Sequence, residues 1–172
     1  MLNFENQTLD IDELPRFEDV DGHPIDTAYL KVLRLMFIFW FILSFGGLFI
    51  LNYLVDLPAI AFITILGFLI LIFAFSFVEI EKGFPRRKFG IRQKDVIFQQ
   101  GYFIFKQTLL PYKRIQHVEL KQGPLFKAFD IYTLKVFTAG SSSGDLSIAG
   151  LNKADADKLK AQILNAADID EN

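Results

Sequence analysis

The sequence predicts a transmembrane α-helical hairpin followed by a small antiparallel β-barrel or sandwich that ends in an α-helix. Three observations predict it. Two apolar runs, Leu35 to Val55 and Leu57 to Val78, contain no charge within them. A stretch of short alternating strands separated by turn residues follows, and an amphipathic segment with an N-cap signal closes the chain.

Each apolar run would span roughly 30 Å as a helix, about one hydrocarbon thickness. The first holds fourteen Leu, Ile, Phe or Val residues, which at about −0.3 to −0.6 kcal/mol each outweigh Ser44, Gly46, Gly47 and Asn52. A soluble core helix of this length would show a polar stripe, and neither run has one. The link, with Asn52, Asp56 and Pro58, is short enough to force an antiparallel pair. Lys31 and Arg34 precede the pair, Lys82, Arg86, Arg87 and Lys88 follow it, and the link has no cation. By the positive-inside rule both termini are then cytoplasmic. Tyr29 and Tyr53 fall where an aromatic belt would place them, and Gly46 and Gly47 with Gly67 and Ala74 are expected to form the seam between the helices. With no ionisable group inside either span, transport by this chain alone has no support.

The chain of 172 residues thus divides into an acidic, mostly irregular tail (1–30), a hairpin region (31–82, helices about 35–55 and 57–78), one small soluble domain (83–167) and an acidic end (168–172). Charge is segregated under a net −2: residues 1–30 hold eight acids against Arg16 alone, and residues 79–135 hold twelve cations against five acids. The absence of cysteine excludes disulfides, thiolate metal sites and a cysteine nucleophile. Thirty-four residues, acidic on balance, precede the first run and argue against a cleaved signal peptide.

Beyond Val78 the period changes to that of strands. Residues 88–92, Asp95 to Gln99, Tyr102 to Phe105 and the run up to Pro111 read as short strands. In Gln116 to Gln122, Val118 and Leu120 alternate with His117, Glu119 and Lys121. Pro124 suits the first position of a short helical turn. Ile131 to Ala139 and Leu146 to Ala149 are strands joined by a Gly-Ser loop. Asn152 then caps a helix whose stripe is Ala156, Leu159, Ile163 and Ala167.

Chemistry-bearing residues are sparse. His117, Ser141 to Ser143 and Asp145 include the types of a nucleophilic triad, but the serines occupy a Gly-flanked loop without a strained elbow. His117 and Glu119 have no further His or Cys within residues 83–167 with which to hold a metal, and Gly140 to Gly144 lacks the Lys and helix of a phosphate cradle. No enzyme, cofactor or metal is expected, and nucleic-acid binding lacks a motif. Two surfaces remain. Arg86, Arg87, Lys88, Arg92 and Lys94 are candidate lipid-headgroup ligands, although a cation cluster past a span is also what topology demands. Tyr112, Arg114, Gln116 and His117 are a candidate protein-interaction run, the equal alternative being a turn at Pro111-Tyr112 with Arg114 satisfying backbone or acidic groups inside the domain, and edge strands offer pairing as a second route.

Three motifs, Leu110-Pro-Tyr-Lys-Arg-Ile-Gln-His-Val118, Gly123-Pro-Leu125 and Leu134-x-Val136-x-Thr138-Ala-Gly140, together with Ile91-Arg92-x-x-Asp95-Val96, Gly101 and two preceding spans, resemble a known family. It is the bacterial pleckstrin-homology-like group with membrane-flanked, YdbS-like members, formerly a domain of unknown function. The resemblance covers about residues 30–165. Asp130 stands where glycine is expected and Lys127 where arginine is common. The resemblance implies a pleckstrin-homology-like barrel at the cytoplasmic face, often encoded with a larger membrane protein bearing repeated copies of the domain, and no known catalytic activity. The leading expectation is an inner-membrane-anchored assembly module, homo- or hetero-oligomeric, serving envelope maintenance; the alternative is a lipid-sensing module.

Overall fold

The structure, a computed structural model, describes residues 22–139 and 145–167. Its elements run β1 (His23–Pro24), α1 (Thr27–Val55), α2 (Ala59–Gly83), a 3-10 turn (Phe84–Arg86), β2 (Lys88–Ile91), β3 (Asp95–Gln100), β4 (Lys106–Pro111), a second 3-10 turn (Tyr112–Arg114), β5 (Ile115–Lys121), α3 (Pro124–Ala128), β6 (Tyr132–Thr138), β7 (Leu146–Leu151) and α4 (Lys153–Ala167). One sheet has the order β1-β2-β3-β4 and the other β5-β6-β7, with every pairing antiparallel. The predicted hairpin, sheets and closing helix are all present.

The two long helices reverse at Asp56, whose backbone is left-handed with φ 52° and whose amide donates to the Asn52 carbonyl at 2.9 Å. Phenylalanines interlock between them: Phe37, Phe41 and Phe45 of α1 lie 5.4, 5.2 and 5.6 Å from Phe73 of α2, and Phe49 lies 5.6 Å from Phe62. This aromatic seam displaces the expected glycine seam. A Cβ added to Gly46, Gly47 or Gly67 would meet nothing within 4 Å, because the ring layer leaves these positions off the contact. Both helices are long and apolar enough to cross a membrane, and most of their large apolar side chains face outward.

At 29 residues, α1 is roughly 43 Å long, some 13 Å more than a hydrocarbon core. The surplus lies at its start. Asp26 caps the helix, its carboxylate accepting from the Ala28 amide at 2.8 Å, while its own amide donates to the Gly150 carbonyl at 3.1 Å. Ile25, Tyr29 and Val32 are buried in the core of the domain, and β1 pairs with β2 through His23 and Phe89. Residues 22–30, expected in a mostly irregular tail with a helix beginning around Tyr29 ahead of the bilayer, supply a strand and, from Thr27, the helix start to the domain; residues 1–21 and 168–172 lie outside the described residues. Tyr29 is a core side chain, not a belt residue. The domain is discontinuous, with the hairpin emerging between β1 and β2.

Gly150 makes this docking possible. It is the extra residue where the register between β6 and β7 shifts, with φ +94°, and a Cβ there would stand 2.4 Å from Ile25 Cγ2 and 2.6 Å from Tyr29 Cδ1. A glycine bulge both bends the strand and opens the space.

Elsewhere the alternation holds. Leu134, Val136 and Thr138 of β6 point inward, and Ala156, Leu159 and Ile163 of α4 cover the sheets. Asn152 caps α4 through the Asp155 amide at 2.8 Å, with its side-chain amide donating back to the Asp155 carboxylate at 2.9 Å. Asp130, where glycine was expected, has φ 52°, the left-handed stop after α3 that glycine adopts most cheaply. One strand is absent: residues 101–105 form a loop between β3 and β4. Its consecutive apolar residues have no polar alternates, so a half-buried strand would leave one apolar face unpaired.

Replacing Gly150 by alanine is expected to destabilise the domain by more than about 3 kcal/mol, the range of core clash combined with backbone strain. Thermal unfolding of the full chain in detergent measures it; a loss below about 1 kcal/mol would contradict the docking.

Candidate functional site

The hairpin meets the domain at three sets of side chains. In the first, Arg34 of α1 and Glu81 of α2 form a two-pronged ion pair, Nε to Oε1 at 2.7 Å and Nη2 to Oε2 at 2.6 Å. The pair borders a mainly apolar groove of ≈ 330 Å³ lined also by Phe37, Ile38, Phe77 and Ile80.

The second set is the expected cation cluster, which the fold disperses. The Arg87 guanidinium turns inward over Tyr29, 5.6 Å from the ring centroid, with Nη1 donating to the hydroxyl at 3.5 Å. Its carbonyl accepts from Ile25 at 3.4 Å, so Arg87 braces the docked start of α1. Arg92 forks onto Asp95 at 2.7 and 2.9 Å, which pushes its guanidinium further up from the ordinary range. Arg86 is exposed and lies 4.5 Å over the Tyr102 ring. Lys88 and Lys94 are exposed. These five residues therefore do not form one open basic pocket.

The polar run after Pro111 also divides. Tyr112 is 2 % exposed; its amide donates to the Lys94 carbonyl and its hydroxyl to the Arg92 carbonyl, both at 3.0 Å. It fastens the β2–β3 link from inside and is not an accessible anchor. Burial pushes its phenol up from the ordinary range, and the Asp95 charge adds to this. Arg114, Gln116 and His117 are exposed. The register between β5 and β6 shifts between Ile115 and His117, and this bulge turns two consecutive side chains, Gln116 and His117, outward. His117 sits 5.7 Å from the Phe137 ring. Asp145, the acid of the considered triad, accepts from the Thr138 hydroxyl and, at 3.0 Å, from its amide; Ser141 to Ser143 lie outside the described residues.

The third set is not apparent from the sequence. The loop Gly101 to Phe105 runs back along α2, and Glu79 of that helix holds it: the carboxylate accepts from the Tyr102 amide at 3.1 Å and from the Phe103 amide at 3.1 Å. Gly83 leaves room for the carboxylate, since a Cβ there would stand 2.8 Å from Glu79 Oε1. Gly101 has φ +97°, and a Cβ on it would fall 2.0 Å from the Ile104 carbonyl oxygen, so the loop closes on a glycine alone. Phe103 stacks on Phe75 of α2 at 4.2 Å and 15°. Phe103, Ile104 and Phe105 remain 47, 81 and 57 % exposed, leaving roughly 3 to 5 kcal/mol of burial unrealised. The sequence signal is the failure of alternation over Tyr102 to Phe105; Glu79, 23 residues earlier, meets the loop only in the fold.

Two packed antiparallel sheets with a C-terminal helix, joined to two helices of membrane-spanning length, define a membrane-associated pleckstrin-homology-like module. A family model, the bacterial PH domain, matches residues 33–167, and the chain belongs to that family. It is 30% identical over 82 residues to the UPF0699 transmembrane protein YdbS of Bacillus subtilis (strain 168), covering 48% of this chain and 50% of that one. The chain thus spans about half the length of this curated relative. Among solved structures, a DUF1696 family protein with a pleckstrin-homology domain from Shewanella loihica PV-4 matches with TM-score 0.38 and 23% identity, over 48% of this chain and 71% of that one. The family is generally non-catalytic.

Because the neutral Tyr112 phenol is favoured in the fold, stability is at its plateau below the unfolded phenol pKa of about 10 and falls as pH rises from there towards the higher folded value. Tyr112→Phe is expected to remove this slope, at a cost of about 1 kcal/mol for the lost hydrogen bond. Urea unfolding of both proteins across that pH range checks it; parallel curves would refute the assignment.

Proposed function

We propose that the chain is a non-catalytic assembly module of the inner membrane, whose domain lies at the cytoplasmic face with both termini on that side. Its partner is a second copy or a larger related membrane protein carrying repeated copies of the domain, and the process served is envelope maintenance. Lys31 and Arg34 on α1 ahead of its uncharged run, and Lys82 in the last turn of α2 with Arg86 just beyond it, against a link without cations, support this orientation.

The observation that carries the reading is the bulged ledge on β5. β5 is an edge strand, and a bulge in an edge strand opposes simple strand addition while presenting side chains. Ile115 and Val118 are packed into the core, so Arg114, Gln116 and His117 project from a fixed base. Recognition here is by side chains. Headgroup sensing has less support, because Arg87 engages Tyr29 and Arg92 engages Asp95.

Full-length protein purified in mild detergent is expected to elute as a defined oligomer or with a stoichiometric membrane partner. Changing Arg114→Glu, Gln116→Ala and His117→Ala together is expected to lower that association at least about tenfold, equal to 1.4 kcal/mol, with unfolding unchanged. A monomer throughout, or full assembly by the triple variant, would sink the reading.

A further inference from the structure

We propose that the loop Tyr102 to Phe105 is a second membrane contact: its apolar side chains insert into the leaflet through which α2 leaves the membrane, and Glu79 is the latch that sets their depth. The occupant of this surface is the lipid of the bilayer that α2 itself crosses. This goes beyond the assembly reading, which concerns the β5 ledge, and rests only on the hairpin spanning the membrane.

Four observations converge on it. The apolar run is consecutive, and Ile104 at its tip is 81 % exposed, whereas soluble surfaces rarely present contiguous large apolar groups without a function. The Phe103 ring lies flat on Phe75 at 4.2 Å. Phe75 is four residues inside Glu79 along α2, about 6 Å, and falls within the uncharged run, so Phe103 reaches the depth of the span. The loop is also held in shape: Glu79 ties down two of its amides, and Gly101 admits no Cβ. A loop so fixed presents its apolar side chains at one depth along α2. Finally, the polar rim fits the headgroup layer. Arg86 lies over Tyr102 at 4.5 Å and Lys106 is exposed beside Phe105, placing cations and a tyrosine where interfacial anchors occur.

The contact explains why the loop differs from the rest of the domain. With α1 docked at Gly150, α2 leaving at Gly83 and this loop inserted, the domain has one orientation towards the bilayer.

The chain has no native cysteine, so single cysteines carrying an environment-sensitive fluorophore report position directly. Full-length Ile104→Cys, Ile72→Cys on α2 and Lys121→Cys on β5 are labelled and reconstituted in vesicles of phosphatidylethanolamine and phosphatidylglycerol. Lipid-borne nitroxides and aqueous iodide serve as quenchers. The expected result is loss of Ile104 emission to the shallow nitroxide and not to iodide, with Lys121 quenched by iodide and Ile72 by the deep nitroxide. Iodide quenching at Ile104 with lipid quenching at Ile72 overturns the inserted loop while leaving the spanning hairpin intact. Protection of Ile104 from both quenchers means that protein covers it and overturns the lipid occupant. Lack of lipid quenching at Ile72 overturns the hairpin reading itself. Adding Glu79→Ala is expected to move Ile104 into iodide reach without changing Ile72; an unchanged Ile104 signal removes Glu79 as the latch.

Discussion

The contact on which the molecule depends is the burial of the start of α1 against the glycine bulge of β7. Ile25, Tyr29 and Val32 enter the same core as Leu134, Ile148 and Leu159, and Gly150 leaves the only kind of backbone that lets the ring of Tyr29 approach so closely. Through this contact a helix long enough to cross a membrane becomes part of the hydrophobic interior of the domain at its end. A flexible tether would leave the domain free to tumble. A helix that shares the core transmits its direction to the sheets, because close-packed interiors do not deform continuously.

Other interactions reinforce that geometry. Asp26 caps α1 and reaches the Asn152 amide of the α4 cap at 3.5 Å, so two helix starts share one carboxylate. Arg87 lies over Tyr29, and Arg34 with Glu81 fastens the two long helices where they reach the domain. An exposed ion pair contributes little alone, but here it joins elements already held by the core on one side and by a phenylalanine seam on the other. Juxtamembrane charge in this chain thus serves architecture as much as attraction to lipid.

Much of this was legible in the sequence because the signals were unmixed. Uncharged runs of membrane length, period-two alternation in β5 and β6, and Asn152 with Asp155 each have one simple structural solution. Asp130 stands in a glycine position, and its positive φ gives the physical reason. The docked start of α1 was not legible, because Ile25, Tyr29 and Val32 have helical spacing that merges into the apolar run beyond them. Arg87 could not be told from its neighbours, since a cation after a span looks the same whether it faces lipid or a tyrosine. Tyr112, in a polar run after proline, gave no local sign that its hydroxyl turns inward. The loop at Tyr102 reads as a strand because aromatic and β-branched residues favour strands; only tertiary contact with α2 decides that they form none.

The central claim is that residues 25–34 belong to the folded domain and do not merely lead into a membrane helix. Hydrogen exchange of the full chain in detergent, followed in peptides covering 25–34 and 146–151 as denaturant is added, tests it most directly, because elements sharing one core open together. The expected result is that both segments lose protection at the same denaturant concentration. Residues 25–34 exchanging freely while β7 remains protected would contradict it.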